Sequence, residues 1–284
     1  MIRVETTGKK EYVKYCVRSW RNEEKTIGFV PTLGALHQGH ISLVRQARAE
    51  CDIVVVSIFV NPLQFNTQTD LDKYPRDLLA DQEMLQNENV DLIFAPSVSN
   101  FYESEPSLKI DFGYLETVLE GAMRPGHFSG VGIVVARLFH AVEPNKAYFG
   151  AKDLQQVAVI KKLVRDLAFD VQVISCPTLR EKSGLAMSSR NSRLSEDGKI
   201  LASELNKALK IGIENAGSHS LVESKNQALA YLSSFAGIKL EYLEWVDADS
   251  MVPVFDKNDS NLPALCLAAW VEEVRLIDNM TLDI

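Results

Sequence analysis

The chain has 284 residues, of which 46% are hydrophobic and 24% are charged, so it is not a disordered protein and has room for one large domain or two smaller ones. It carries 30 Lys and Arg against 38 Asp and Glu, and the net charge of −8 argues against a protein that binds nucleic acid or anionic membranes. No apolar run approaches the roughly 20 residues that span a bilayer, no signal peptide is evident, and four distant cysteines without a CxxC pair indicate reduced thiols in the cytoplasm.

The first 178 residues alternate short apolar runs with amphipathic stretches, which is the pattern of a parallel sheet covered by helices. The run over 53–60 is β-branched at nearly every position, as expected for a strand buried on both faces. A Pro-Thr-Leu-Gly sequence at 31–34 is expected to end the first strand. Predicted strands cover residues 26–30, 53–60, 90–94, 146–149 and 170–175, and predicted helices cover residues 39–50, 78–88, 131–140 and 153–167.

The pattern changes after about residue 178. Two predicted helices, 196–216 and 221–235, begin after Ser195 and Ser220, which are suitable N-cap residues. Two predicted strands follow, over 239–246 and 264–277. The sequence therefore predicts an α/β protein with a parallel-sheet domain over 1–178 and a smaller α+β domain over 179–284.

Two histidines follow the first predicted strand, in the segment PTLGALHQGH. The helix that starts there directs free N–H groups and its positive dipole end towards the carboxyl edge of the sheet, where open α/β folds bind ligands. His37 and His40 are three residues apart, so they share one face of the first helical turn. Imidazoles in this position suit the stabilisation of charge on phosphate oxygens, and Gly39 lets a phosphate approach closely.

Two other interpretations of these histidines stay open. They could form a structural pair whose hydrogen bonds are satisfied within the protein, or they could be two ligands of a metal ion. A catalytic zinc usually takes three protein ligands, and the sequence has no HExxH motif.

Two further segments offer groups for polar or anionic ligands. In SIFVNPLQF, a strand ends in Asn61 and Gln64, whose carboxamides can bind the hydroxyl and carboxylate groups of a small substrate. In MRPGHFSGV, Arg124 and His127 belong to a glycine-containing turn before an apolar helix, where they could reach an anion. Alone, the first segment is equally consistent with a simple turn, and the second is weak evidence for a site.

The last two segments carry positive charge and hydroxyl groups. FGAKDLQQV places Lys152 at a second helix N-terminus on the same sheet edge, where its ammonium group suits a phosphate. REKSGLAMSSRNSRLS supplies two serines and Arg190 on a loop that could close over a triphosphate. Alone, the first could be a solvated capping turn and the second a polar linker. Neither GxxxxGK[ST] nor GxGxxG is present, so a nucleotide would have to be bound by the HxGH turn.

In this order and at this spacing, the five segments resemble the pantothenate synthetase (pantoate–β-alanine ligase) family of the HxGH nucleotidyltransferase superfamily. The resemblance covers essentially the whole chain. It implies a Rossmann-like N-terminal domain, a smaller C-terminal domain, a homodimer, and the use of ATP and Mg²⁺. It also implies that (R)-pantoate and ATP form a pantoyl adenylate and pyrophosphate, after which β-alanine displaces AMP to give pantothenate.

The resemblance also assigns site residues by position. It implies His40 as the acid-type catalytic residue, with His37 as its partner, and Gln64 and Gln156 as ligands of pantoate. Asn61 is added from its place at the strand end, which completes the predicted site for pantoate and β-alanine. The implied ATP-binding residues, of which the last four resemble the KMSKS loop of class I aminoacyl-tRNA synthetases, are Leu33, Gly34, Ala35, Leu36, His37, Gln38, Gly39, His40, Gly150, Ala151, Lys152, Asp153, Leu179, Met187, Ser188, Ser189 and Arg190.

The chain departs from the family pattern at two positions. Leu33 stands where methionine is common, which keeps the side-chain volume, and Ala151 stands where glutamate is frequent, at a position that can contribute through its backbone. The sequence has no clear marker for Mg²⁺ ligands, so these stay unknown.

Two functions of other classes also stay open from the residues alone. A nucleotidyltransferase that modifies a phosphorylated acceptor would need a basic acceptor pocket, whereas the acceptor side here offers the neutral amides Gln64 and Gln156. A non-catalytic nucleotide-binding protein would not need both histidines together with Lys152 and the Ser-Ser-Arg segment.

Overall fold

A computed structural model describes residues 4–282, which fall into two compact units. The first unit comprises the chain up to residue 150 together with residues 159–176. The second comprises residues 151–158 together with the chain from residue 177 onward. The division into domains at residue 178 stays a prediction.

The first unit is built on a parallel sheet of six strands, which confirms the predicted α/β class. Neighbouring strands lie in the order β1-β4-β3-β2-β5-β6, with every pair parallel. The central β-branched run forms β3, in which every residue except the last is buried. The strands are β1 (Glu5–Thr7), β2 (Ile27–Thr32), β3 (Ile53–Ile58), β4 (Leu92–Phe94), β5 (Lys146–Gly150) and β6 (Gln172–Cys176).

The strand order reverses at β2. From β2 the chain moves outward through β3 and β4, and it then returns to place β5 and β6 on the other side of β2. In open parallel sheets, the loops that leave the carboxyl ends of the strands at such a reversal form the ligand crevice. Strand β2 ends at Thr32 and β5 ends at Gly150, so the predicted HxGH turn and the predicted ATP-binding residue Gly150 both lie at this point of the first unit.

Helices connect these strands and cover the sheet. Within one cluster, Ile41, Val44 and Ala47 pack at helical spacing against Val30 and Val54 of the sheet. No helix within residues 4–282 is long and apolar enough to cross a membrane. The helices are α1 (Lys10–Asn22), α2 (Gln38–Glu50), α3 (Gln68–Lys73), α4 (Leu78–Gln86), α5 (Val98–Phe101), α6 (Leu119–Met123), α7 (His127–Val142) and α8 (Leu154–Asp166), the last of which begins in the second unit.

The second unit is the small α+β structure that the sequence predicts. Its antiparallel sheet contains β7 (Ile238–Asp247), β8 (Pro263–Val271) and β9 (Val274–Thr281) in that order. Two helices, α9 (Glu196–Ala216) and α10 (Leu221–Ser233), share its apolar core with the sheet.

Every predicted strand except that over 264–277 differs from its observed counterpart by at most two residues at either end, and two of the differences have a clear physical reason. The prediction of one strand over 264–277 is wrong, because the chain reverses at Glu272, which has a φ of +53°, and forms the β8–β9 hairpin. The predicted end of the first strand, at residue 30, is two residues too early, since β2 continues through Pro31 and Thr32. Pro31 is tolerated because β2 pairs with β5 only at Gly28 and Phe29, so its missing N–H removes no hydrogen bond to β5.

Candidate active site

The turn between β2 and α2 is held by its own histidines. His37 is the N-cap of α2, and its Nδ1 accepts a hydrogen bond from the N–H of Gly39 at 3.1 Å. His40 completes a reciprocal capping box, because its Nδ1 accepts the N–H of His37 at 3.3 Å. The predicted ATP-binding residues of this segment thus belong to one turn and the helix that follows it: residues 33–36 form the turn, and Gln38 and Gly39 begin the helix.

The same hydrogen bonds determine which nitrogen of each ring carries a proton. Since both Nδ1 atoms accept, the neutral imidazoles of His37 and His40 carry their protons on Nε2. The ring centroids lie 4.1 Å apart, and both residues are half-buried at the positive end of the α2 dipole. The Nδ1 atoms of the pair therefore have a structural role. The two Nε2–H groups are donors of the kind that bind an anion. No group of three or more His, Cys, Asp or Glu within residues 4–282 is placed to hold a metal ion.

A buried carboxylate that the sequence analysis missed anchors this turn. Asp81, in the first turn of α4, accepts hydrogen bonds from the N–H groups of Ala35 at 3.0 Å and Leu36 at 2.7 Å. The turn needs such support because Gly34 and Ala35 both have positive φ, +82° and +51°, and the second value is unusual for a residue with a Cβ. Burial raises the pKa of Asp81, and the two backbone hydrogen bonds oppose that rise.

Asp81→Asn should lower the free energy of unfolding by about 1–3 kcal/mol, because a carboxamide has one acceptor oxygen and turns an NH₂ group towards the second backbone N–H. Urea unfolding measures the difference. Asp77→Asn is the matched control, since Asp77 caps the same helix from an exposed position and Asn is an equally good N-cap. A loss no larger than that of the control would contradict the anchoring role of Asp81.

A buried carboxamide network follows β3. The Nδ2 of Asn61 donates to Oε1 of Gln64 at 3.2 Å and to the carbonyl of Gly130 at 3.1 Å, while its Oδ1 accepts the hydroxyl of Tyr102 at 2.9 Å. Asn61 is fully buried and Gln64 is 8% exposed. Because Oε1 of Gln64 faces Asn61, the donor Nε2 of Gln64 faces away from it, as binding of a carboxylate or hydroxyl oxygen requires.

Arg124, which follows α6, and His127, the first residue of α7, hold the backbone of the same segment. His127 donates from Nδ1 to the carbonyl of Gln64 at 2.7 Å, and Arg124 donates from Nη2 to the same oxygen at 3.2 Å. The predicted glycine turn before a helix at 131 is wrong, since α7 begins at His127 and includes Gly130. Glycine is needed there because a Cβ would lie 2.2 Å from the carbonyl oxygen of Leu63. The structure thus gives both predicted anion-binding side chains a contact with a backbone carbonyl.

In the second unit, a 3₁₀ turn over Ala151–Asp153 follows β5 and leads into α8. The side chain of Lys152 is 18% exposed, and its Nζ lies 3.6 Å from Oδ1 of Asp153. Gln156 is half-buried in the first turn of α8. The carbonyls of this turn accept hydrogen bonds from Asn279 of β9, a residue that no local sequence pattern singles out.

The predicted ATP-binding loop begins as a short hairpin. The N–H of Met187 donates to the carbonyl of Leu179 at 3.0 Å, and Arg180 forms an isolated β-bridge with Ala186. Gly184 has a φ of +93° at the turn between them, in the left-handed region that favours glycine.

The second half of this loop has more anchors than its sequence suggests. Ser188 caps a 3₁₀ turn over Ser189–Arg193 by accepting the N–H of Arg190 at 3.2 Å. Asn191 is buried, and its Nδ2 donates to the carbonyl of Ala186 at 3.1 Å. Leu185 and Ala186 are also buried, whereas Met187 is half-buried. Whether the loop orders on binding ATP stays a prediction.

Comparisons with known proteins give a consistent result over nearly the whole chain. Residues 5–281 match the model of the pantoate-beta-alanine ligase family. The chain is 50% identical over 265 residues to the pantothenate synthetase of Cytophaga hutchinsonii, covering 92% of this chain and 93% of that protein. It is 47% identical over 275 residues to the pantothenate synthetase of Thermotoga neapolitana, covering 96% and 97%.

Solved structures agree with this result. The crystal structure of pantothenate synthetase from Thermus thermophilus superposes with a TM-score of 0.92 at 41% identity, covering 98% of this chain and 99% of that one. The pantoate-beta-alanine ligase from Francisella tularensis, crystallised in complex with beta-gamma ATP and beta-alanine, has a TM-score of 0.81 at 37% identity, covering 98% and 97%.

Proposed function

The chain belongs to the pantoate–β-alanine ligase family, and from this membership we propose that its HxGH turn and its Asn61–Gln64 network serve the two chemical needs of the ligase reaction. The protein is an ATP-dependent ligase that condenses (R)-pantoate with β-alanine. The products are pantothenate, AMP and pyrophosphate, and pantoyl adenylate is the intermediate. The first need is stabilisation of charge on the phosphates, and the second is orientation of the pantoate carboxylate.

The observation that carries the proposal is the pair of imidazole donors at the N-terminus of α2. When the pantoate carboxylate attacks the α-phosphorus of ATP, negative charge grows on the phosphate oxygens and on the departing pyrophosphate. An Nε2–H donor that is already fixed by its own cap can stabilise this charge without reorganising. We assign this role to His40, as the catalytic residue, and to His37, as its partner.

Gln64 supplies the orientation of pantoate. With Oε1 held by Asn61, its Nε2 donors are aimed by the protein and can bind a carboxylate or hydroxyl oxygen of pantoate. Asn61 is a proposed substrate-site residue that acts through Gln64, since its own polar atoms are bonded to Gln64, Gly130 and Tyr102. Gln156 is proposed as a further ligand of pantoate.

The second unit supplies further ATP ligands in this proposal. Lys152 would neutralise phosphate charge, and the turn and loop around it would contact the nucleotide through the residues assigned above, among them Gly150, Asp153, Leu179 and Met187. Mg²⁺ is proposed to enter as the MgATP complex, because Mg²⁺ is commonly held by substrate phosphates together with one or two carboxylates. We further propose a cytoplasmic homodimer.

The second chemical step follows from the first. The neutral amine of β-alanine attacks the acyl carbon of pantoyl adenylate and the amide C–N bond forms. The C–O bond between the acyl carbon and the phosphate breaks, AMP leaves with its electron pair, and the nitrogen loses one proton. Measuring pyrophosphate release from ATP with pantoate alone, followed by AMP release on adding β-alanine, tests the order. A nucleotidyltransferase would leave the nucleotide on its acceptor and release no AMP, so this assay also separates the two functions.

Arg190→Ala should slow the first half-reaction by about tenfold or more and the second much less, because pyrophosphate has left before the amine attacks. Single-turnover assays, with the second step started from preformed adenylate, measure the two rates separately. Arg193→Ala is the matched control, since Arg193 belongs to the same 3₁₀ turn and is exposed. An equal loss in both steps would mean that Arg190 supports the loop and does not act on the leaving pyrophosphate.

A further inference from the structure

We infer that Asp278 and Asn279, neighbours on β9, are positioning residues that hold the two predicted ATP-binding segments of the second unit in place. The inference rests on the proposed function, because it takes the turn over Ala151–Asp153 and the loop over 179–190 as ligands of ATP. Neither residue is proposed to touch the nucleotide.

Asn279 holds the turn. Its Nδ2 donates to the carbonyls of Ala151 at 2.9 Å and Lys152 at 2.8 Å, so both amide hydrogens are used on consecutive residues of the segment. Asn279 is 7% exposed, and a hydrogen bond in such a site is protected from competition by water. These bonds fix the backbone from which the Lys152 side chain extends, and the direction of its ammonium group depends on that backbone.

Asp278 holds the loop. Its carboxylate forms a bidentate ion pair with Arg180, with distances of 2.6 and 2.9 Å between the oxygens and the guanidinium nitrogens. The carboxylate side chain is 5% exposed, so this pair is shielded from solvent, and its fork geometry fixes the angle as well as the distance. The same guanidinium donates to the carbonyl of Gly184 at 3.3 Å, across the hairpin turn.

The two contacts are joined through the strand itself. The backbone N–H of Asn279 donates to Oδ1 of Asp278 at 2.8 Å, and the carbonyl of Asn279 accepts from Arg180 at 3.2 Å. These groups are available because β9 is the edge strand of its sheet and, among the described residues, pairs only with β8. One strand end therefore holds the turn over Ala151–Asp153 and the base of the loop at Arg180, so the backbone is ordered at these two places before ATP arrives. Such order lowers the entropic cost of binding.

Asn279→Asp is the sharpest test, because it keeps the size of the side chain and replaces the NH₂ donor by an acceptor facing two carbonyls. We expect the KM and the calorimetric dissociation constant for ATP to rise about tenfold, as the loss of two hydrogen bonds predicts. The KM for β-alanine should not change. Asn215→Asp is the matched control in the same unit, since Nδ2 of Asn215 also donates to a carbonyl, that of Ile211 at 2.8 Å.

A purely structural role would reduce kcat through a smaller folded fraction and leave both constants for ATP at their wild-type values, and that result would overturn the inference. The inference would also be overturned if Asn215→Asp raised the KM and the dissociation constant for ATP as much as Asn279→Asp does. If the Asp variant does not fold, Asn279→Ala is judged by the same criteria, with a smaller expected rise. Absence of ligase activity in the wild type would contradict the proposed function, whereas the dissociation constants for ATP would still decide the role of Asn279.

Discussion

His40→Ala should lower the rate of pantoyl adenylate formation by about 10²- to 10³-fold, which is the loss typical of removing one fixed donor to developing charge. The Nε2–H of His40 lies at the positive end of α2, and its Nδ1 is occupied by the N–H of His37. His40 is half-buried and is not part of the apolar cluster between α2 and the sheet, so the fold should persist when its side chain is removed. Rapid-quench measurement of pyrophosphate release in the first turnover gives the rate of this step without the contribution of product release.

The alanine variant removes a cap as well as a donor, and His40→Asn separates the two effects. The Oδ1 of asparagine can accept the N–H of His37 in place of Nδ1, so the reciprocal cap is kept, whereas nothing replaces Nε2. We expect the asparagine variant to match wild type in urea unfolding and alanine in rate. An asparagine variant with a near-normal rate would show that His40 acts only as a cap.

Local sequence signals predicted those elements whose determinants are local. Ser195 and Ser220 predicted the first residues of α9 and α10, because an N-cap serine bonds within its own turn: the Oγ of Ser195 accepts the N–H of Gly198 at 2.9 Å, and Ser220 forms a capping box with Glu223. The β-branched run of β3 predicted a buried strand because this signal also lies in consecutive residues. The HxGH turn was found because its spacing and its strand-to-helix context are adjacent in sequence.

The elements at the start of the chain were missed because their signals are weak. Helix α1 buries only Val13, Cys16 and Val17 among charged residues, and its N-cap, Lys9, makes no side-chain cap. Strand β1 has three residues and is only partly buried, so it shows no run of apolar positions. Its place in the sheet comes from pairing with β4, a contact that a local pattern does not report.

The groups that support the site are distant in sequence, and this is why sequence reasoning did not find them. Asp81 is 46 residues from Ala35, whose N–H it accepts, and Asn279 is 128 residues from Ala151. Nothing in the local sequence of either residue distinguishes it from an ordinary surface Asp or Asn. The charge of Arg124 is visible in the sequence, but its contact with the carbonyl of Gln64 joins residues that are 60 positions apart.

Gln64→Glu should raise the KM for pantoate by about 10²-fold or more, because it replaces donors to an anion by a second negative charge in a buried site. Gln64 is 8% exposed, so solvent screens little of the repulsion between the two carboxylates. The Oε1 that accepts from Asn61 is kept, since a carboxylate also accepts, and the network should stay intact. Affinity for ATP measured by calorimetry should not change.

The pH dependence of this variant distinguishes charge from shape. Protonation of the introduced carboxyl removes the repulsion and restores one O–H donor, so the deficit relative to wild type should shrink as the pH falls. Gln64→Ala, which removes the donors without adding charge, should have a smaller deficit that does not change with pH relative to wild type. An equal rise in the ATP dissociation constant would place Gln64 in the nucleotide site, and an unchanged KM for pantoate would remove it from the substrate site.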